Sequence, residues 1–164
     1  MDLSNLIKKK YDICLISEPS TGWDKQFPGF EKSVAKIAEY TIKIAKKHNL
    51  KLAFVGKRPK YIIEKSIKKK NQAYVNEIDF YKKYLKGNYK IIKKNNKTFS
   101  SYQAMHNSKL TIGMMSTLLR ENLALRGKVL SCNFTKNKIW NFPINGICSF
   151  NEISFDQFEQ RVLK

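Results

Sequence analysis

Ser116 and Thr117 stand at the junction between a short apolar run, Leu110 to Gly113, and a helix-forming stretch that begins at Thr117. The amino end of a helix carries roughly half a positive charge and presents N–H groups without partners, so two hydroxyls there can join those amides around phosphate oxygens. Met115 belongs to the same turn and is grouped with them as ligand-binding. Glu121 lies one helical turn beyond Thr117 on the same face. Its carboxylate would repel phosphate but suits the 2′- and 3′-hydroxyls of a ribose one step further along. The purely structural alternative is a capped helix whose Glu121 pairs with a surface cation.

Other candidates sit at the ends of apolar runs. Lys57 and Arg58 follow the run Leu50 to Gly56, where cations could neutralise a diphosphate. Glu18 follows Tyr11 to Ser17 and is a candidate catalytic carboxylate, or else the residue that holds the Pro19 turn. His106 precedes the strand that leads to Ser116 and is the second catalytic candidate, whereas His48 ends a lysine-rich helix and reads as a surface residue. Ser116 is not set in G-x-S-x-G, which disfavours hydrolysis by a nucleophilic serine. G-x-x-x-x-G-K-[ST] does not occur, and the first strand leads into EPSTGW where a dinucleotide site has G-x-G-x-x-G. Trp23, Phe27, Trp140 and Phe142 fall in loops among lysines, where rings could stack on a base or sugar or could plug the ends of a sheet.

These residues need a scaffold, and periodicity supplies one. Strands are expected at Tyr11 to Ser17, Leu50 to Gly56, Tyr89 to Ile92, Leu110 to Gly113, Val129 to Cys132 and Ile147 to Phe150. Between the first two, Val34, Ile37, Ala38, Thr41 and Ala45 recur at helical spacing within Glu31 to Asn49. Further helices are expected within Lys60 to Lys86, after Ser100 or Ser101, and over Thr117 to Arg126, with Leu118, Leu119 and Leu123 or Ala124 packed inward and Gly127 as the stop. Ser154 with Gln157 forms a capping box that opens the final helix. Strands alternating with helices predict an α/β fold, a three-layer α/β/α sandwich with a mainly parallel sheet. The 164 residues read as one domain without internal boundary.

Lys and Arg number 32 against 13 Asp and Glu, a formal charge of +19. Such an excess attracts nucleic acid, anionic head groups and phosphorylated ligands alike, and is equally compatible with a compositional bias toward Lys. Arg, which planar recognition of bases favours, occurs only at Arg58, Arg120, Arg126 and Arg161. Cys14, Cys132 and Cys148 lie apart in apolar runs and read as buried thiols, with no metal-ligand spacing and no metal expected. No run approaches the length of a membrane span. A cytoplasmic protein is expected, able to touch the inner membrane face through its lysines.

The run Ser101 to Ser131, SYQAMHNSKLTIGMMSTLLRENLALRGKVLS, resembles the donor-binding segment in the C-terminal Rossmann-like half of two-domain, GT-B type glycosyltransferases, especially bacterial surface-carbohydrate biosynthesis proteins. Ser116 and Thr117 match the turn of that segment, Glu121 its acidic position, and Gly127 the glycine before its last strand. The likeness extends from about Tyr11 to Leu163 and ends in SFDQFEQRVL, similar to the closing helix of such domains. The resemblance implies a nucleotide-sugar-binding domain that takes a nucleotide-diphosphate sugar as donor substrate and uses no further cofactor. The turn would hold the diphosphate, Glu121 the ribose or sugar hydroxyls. It also implies a carbohydrate acceptor and an N-terminal acceptor domain, for which this chain has no room, so that half would belong to a longer protein or to a partner subunit. The rival readings are a lysine-rich nucleic-acid-binding module and a noncatalytic interaction domain.

Overall fold

A computed structural model describes residues 9–18, 23–56, 89–92, 98–135, 137–144, 149–151 and 153–164. Six strands, β1 (Tyr11–Ile16), β2 (Leu52–Val55), β3 (Tyr89–Ile92), β4 (Ser108–Gly113), β5 (Val129–Asn133) and β6 (Ser149–Asn151), form one sheet in the order β3-β2-β1-β4-β5-β6. Every pairing is parallel, with Cys14 opposite Ala53 on one side and Thr111 on the other. The chain walks outward from β1 to β3 and then returns to the other side of β1, so the direction of winding reverses between β1 and β4. The helices among the described residues are α1 (Trp23–Gln26), α2 (Phe30–Lys47), α3 (Ser100–His106), α4 (Thr117–Ala124) and α5 (Phe155–Leu163). A 3₁₀ turn, Lys138–Trp140, lies in the loop after β5.

Side chains of β1 alternate between two cores, as the two-residue period of a strand requires. Ile13 and Leu15 join the core under α2 and α5, which includes Phe30, Ile37, Ile44 and Phe158. Cys14 and Ile16 join the core under α3 and α4, with Val55, Ala104 and Leu119. Burial on both faces explains why these strands are apolar runs without polar alternation. The α/β/α sandwich expected from the sequence is therefore present, and its sheet is wholly parallel.

The helix ends obey local rules. In α2 the residues Val34, Ile37, Ala38, Thr41 and Ala45 are all buried. Asn49 (φ 51) follows the last turn in the left-handed region, and the amides of Asn49 and Leu50 bond back to Lys46 and Ala45 in a Schellman motif. In α4 the same motif uses Arg126 (φ 61) as the left-handed residue, its amide bonding to Leu123 and that of Gly127 to Asn122. Gly127 is required for a different reason: a Cβ there would collide with the Asn122 side chain. Asn122 is buried and donates to Thr111 Oγ1 (3.0 Å) and to the Lys128 carbonyl (3.3 Å), tying α4 to β4 and to the start of β5. Leu119 is fully buried and Leu118 and Leu123 pack at the margin, but Ala124 is exposed, because Asn122 takes the inward position that spacing alone gives to an apolar residue. The capping box of Ser154 and Gln157 opens α5 as expected. The helices expected within Lys60 to Lys86 lie outside the described residues.

Candidate active site

Parallel sheets with this strand order receive ligands outside the carboxyl ends of their strands, in the crevice where the winding reverses. Here that point is framed by Ser17 and Glu18 after β1 and by Met114, Met115 and Ser116 after β4. The turn after β4 is pinned on three sides. Met114 is buried, with its sulfur accepting from Ser33 Oγ of α2 (3.3 Å), and its carbonyl accepts from Ser131 Oγ of β5. Ser116 caps α4, its hydroxyl accepting the Leu118 amide at 3.3 Å. The amides of Met114, Met115 and Ser116 consequently converge on one point.

Glu18 occupies that point. Its Oε2 accepts the Met114 amide at 2.7 Å, and its Oε1 accepts those of Met115 (2.9 Å) and Ser116. Three aligned backbone dipoles suit one negative charge, and the carboxylate supplies it from within the fold. Gly113 makes the approach possible, since a Cβ there would lie 3.2 Å from Glu18 Oε1 and 3.2 Å from Leu119 Cδ1. Glu18 and the turn at Met115, Ser116 and Thr117 are thus brought together, with Thr117 exposed beside them and Ser116 half-buried.

Glu121 faces α3. The Tyr102 hydroxyl bonds to its carboxylate, and that bond, followed by burial and the carboxylate charge, pushes the phenol above its usual pKa. The other carboxylate oxygen, Glu121 Oε2, is buried and has no hydrogen-bond partner among the described residues. Phe99, exposed and left-handed at φ 47, packs edge-to-face on Tyr102 with ring centroids 6.3 Å apart. The spacing argument gave no sign of this neighbour, because α3 and α4 meet only through the fold.

His106 is not part of this group. It ends α3 at the amino edge of the sheet, where its carbonyl accepts from Lys9 and the adjacent Asn107 carbonyl accepts the amides of Lys10 and Tyr11. The whole length of β4 separates it from Ser116. Lys57 and Arg58 lie outside the described residues. Of the loop aromatics, Trp140 and Phe142 are core residues, Trp140 packing edge-on with Phe27 (4.9 Å) and Phe30 (4.8 Å), so neither ring is open for stacking on a ligand. His48 lies at the surface, paired with Glu159 of α5 at 2.7 Å.

Sequence reasoning missed a further feature of the carboxyl edge. Asn133, buried at the end of β5, donates to the Asn137 carbonyl (3.1 Å) and to Asn141 Oδ1 (2.6 Å) while accepting from the Thr135 amide and hydroxyl. This network fixes the loop that flanks the Met114 turn; four Asn and Thr residues within nine positions of a loop were its only signal. Among the described residues no three His, Cys, Asp or Glu side chains are grouped to hold a metal ion. Cys14 and Cys132 are buried free thiols, Cys14 pushed up to about 12 by burial. Cys148 lies outside the residues whose side chains are described. No described helix is long and apolar enough to cross a membrane.

Residues 32–147 match a family model described as "putative O-antigen biosynthesis protein". No curated protein and no solved structure matches the chain.

Proposed function

Since this chain belongs to the family described as putative O-antigen biosynthesis proteins, we propose that it serves surface-carbohydrate assembly as the nucleotide-sugar-binding domain of a glycosyltransferase. The observation that carries this reading is the convergence of the Met114, Met115 and Ser116 amides on the Glu18 carboxylate at the reversal point of the sheet. Such a site fits a diphosphate, whose oxygens can replace the carboxylate oxygens donor for donor.

In this mechanism Glu18 leaves the turn as the donor diphosphate arrives. The amides remain satisfied in both states, so the exchange avoids the cost of stranded buried donors. The departing nucleotide diphosphate gathers charge as the glycosyl bond breaks, and the three amides with the start of α4 stabilise it; Lys57 and Arg58 are the cations assigned to the same task. The Glu121 carboxylate, whose Oε2 has no hydrogen-bond partner among the described residues, accepts a ribose or sugar hydroxyl. The displaced Glu18 carboxylate stands at the lip of the crevice and takes the proton of the attacking acceptor hydroxyl. The acceptor is a carbohydrate presented by a second domain or a partner subunit.

A thermal-shift series with UDP-, GDP-, CMP- and CDP-linked sugars at moderate salt tests the reading. One sugar nucleotide is expected to stabilise the protein saturably, with the effect reduced in Ser116→Ala and abolished in Glu121→Ala. Absence of saturable stabilisation by any of them, or equal stabilisation by RNA in every variant, overturns it.

A further inference from the structure

We propose that the amino edge of the sheet, opposite the crevice, is a docking face for an anionic lipid bilayer. This inference is independent of the sugar-nucleotide reading. In a parallel sheet every strand starts at this edge, and α2, α4 and α5 all end there. The topology therefore gathers exposed cations from distant parts of the chain: Lys10 before β1, Lys46 at the end of α2, Lys51 before β2, Arg126 and Lys128 between α4 and β5, and Lys164 after α5. The acidic side chains described at this edge, Asp12 and Glu159, are already engaged, Asp12 by Lys109 at 2.7 Å and Glu159 by Lys47 at 2.9 Å.

Helix carboxyl ends favour lysine through their dipoles, which accounts for Lys46 and Lys164. It does not account for lysines placed ahead of strands, at Lys10, Lys51 and Lys128. Nor does it account for Leu125 and Leu163, which are 59% and 50% exposed at the ends of α4 and α5 amid these cations. Aliphatic side chains projecting from a cationic rim are the composition that seats a protein at a head-group boundary, the leucines entering the acyl margin and the lysines meeting anionic lipid. Recognition of nucleic acid favours arginine and stacking rings, whereas the described cations here are mostly lysines, with Arg126 and, in the last turn of α5, Arg161 as the arginines. Docked this way, the protein turns its carboxyl edge toward the aqueous side.

The test is co-sedimentation of the full chain with vesicles of phosphatidylcholine alone and of phosphatidylcholine mixed with phosphatidylglycerol. Binding is expected only to the anionic mixture. The pair Lys51→Glu with Lys128→Glu is expected to weaken it at least about ten-fold, and Leu125→Ser with Leu163→Ser to leave an association that moderate salt abolishes. A control pair at the opposite edge, Lys32→Glu with Lys138→Glu, carries the same change in net charge and is expected to bind nearly as the parent does; melting temperatures verify that each variant is folded. Equal loss in the control pair, no binding to anionic vesicles, or RNA that displaces the vesicles with the same edge dependence would each overturn the assignment.

Discussion

Glu18 Oε1 accepts the Met115 amide at 2.9 Å, joining the end of β1 to the turn before α4 across most of the sequence. With the Met114 and Ser116 amides it makes a site that is anionic by default. Glu18→Ala leaves three donors without their carboxylate, and is expected to lower stability by about 1–3 kcal/mol. Added inorganic phosphate should then raise the melting temperature of Glu18→Ala more than that of the parent, because the parent's own carboxylate competes for the amides. Equal response of the two proteins would show that Glu18 and phosphate do not share a site.

The same exchange separates binding from turnover. Removal of Glu18 takes away both the competitor for the diphosphate and the group assigned to the acceptor proton. Glu18→Ala is therefore expected to bind the cognate sugar nucleotide more tightly by isothermal titration, while transfer assayed with the complementary acceptor half falls by about 10²–10⁴-fold. Weaker binding together with retained transfer would assign Glu18 a structural role only.

Asn122 and Gly127 form a matched pair. Gly127→Ala places a Cβ where the Asn122 side chain stands, and is expected to cost about 1–3 kcal/mol. Asn122→Ala strips the Thr111 hydroxyl and the Lys128 carbonyl of their donor at a similar cost. Combined, the two changes should cost less than their sum, since the vacated amide leaves room for the new methyl; chemical denaturation of the four proteins measures that coupling.

This pair also shows where sequence reading reaches its limit. Hydrophobic spacing revealed α2, α4 and the strands because burial on a helix stripe or a two-faced sheet writes itself into the order of residues. Gly127 was legible as the end of a helix, but the left-handed residue proved to be Arg126, and the need for glycine came from a side chain five residues earlier. Asn122 carried no sign of its burial, because polarity alone does not reveal that a partner waits inside. Ser116 and Thr117 were readable as a helix start, whereas Glu18's hold on that start depends on the parallel pairing of β1 with β4, which no local window contains. The misplaced His106 has the same origin: nearness in sequence to a strand does not say which end of it a residue occupies.

Acid sensitivity should trace to two carboxylates at the amino edge. Burial raises the pKa of Asp12, but the Lys109 hydrogen bond, the Lys51 amide and the charges of both lysines outweigh it and hold the group below its ordinary 3.8. Hydrogen bonds from His48 and Lys47 likewise hold Glu159 below 4.5. A carboxylate depressed in the folded state stabilises above its unfolded pKa, and that stabilisation is lost as pH falls through the folded value. Melting temperature should therefore decline below about pH 4.5, and Asp12→Asn with Glu159→Gln should flatten the decline. A double variant as acid-sensitive as the parent would locate the sensitivity elsewhere.

Cys14 and Cys132 sit on opposite faces of the sheet, each 0% exposed and each with its thiol pushed up by burial. Reaction with a disulfide reagent needs both a thiolate and a path to it, and the fold withholds both. In a Cys148→Ser background no native thiol is expected to react at neutral pH on the timescale of minutes, and both should react at once in denaturant. Because each thiol becomes reachable only when its core opens, the labelling rate at intermediate denaturant reports the opening of two distinct layers. Cys132 belongs to the core under α2 and α5, Cys14 to that under α3 and α4. If one domain unfolds as a unit, the two rates coincide; a faster Cys14 would mean that the layer carrying α4 and its Glu18-bound turn separates first.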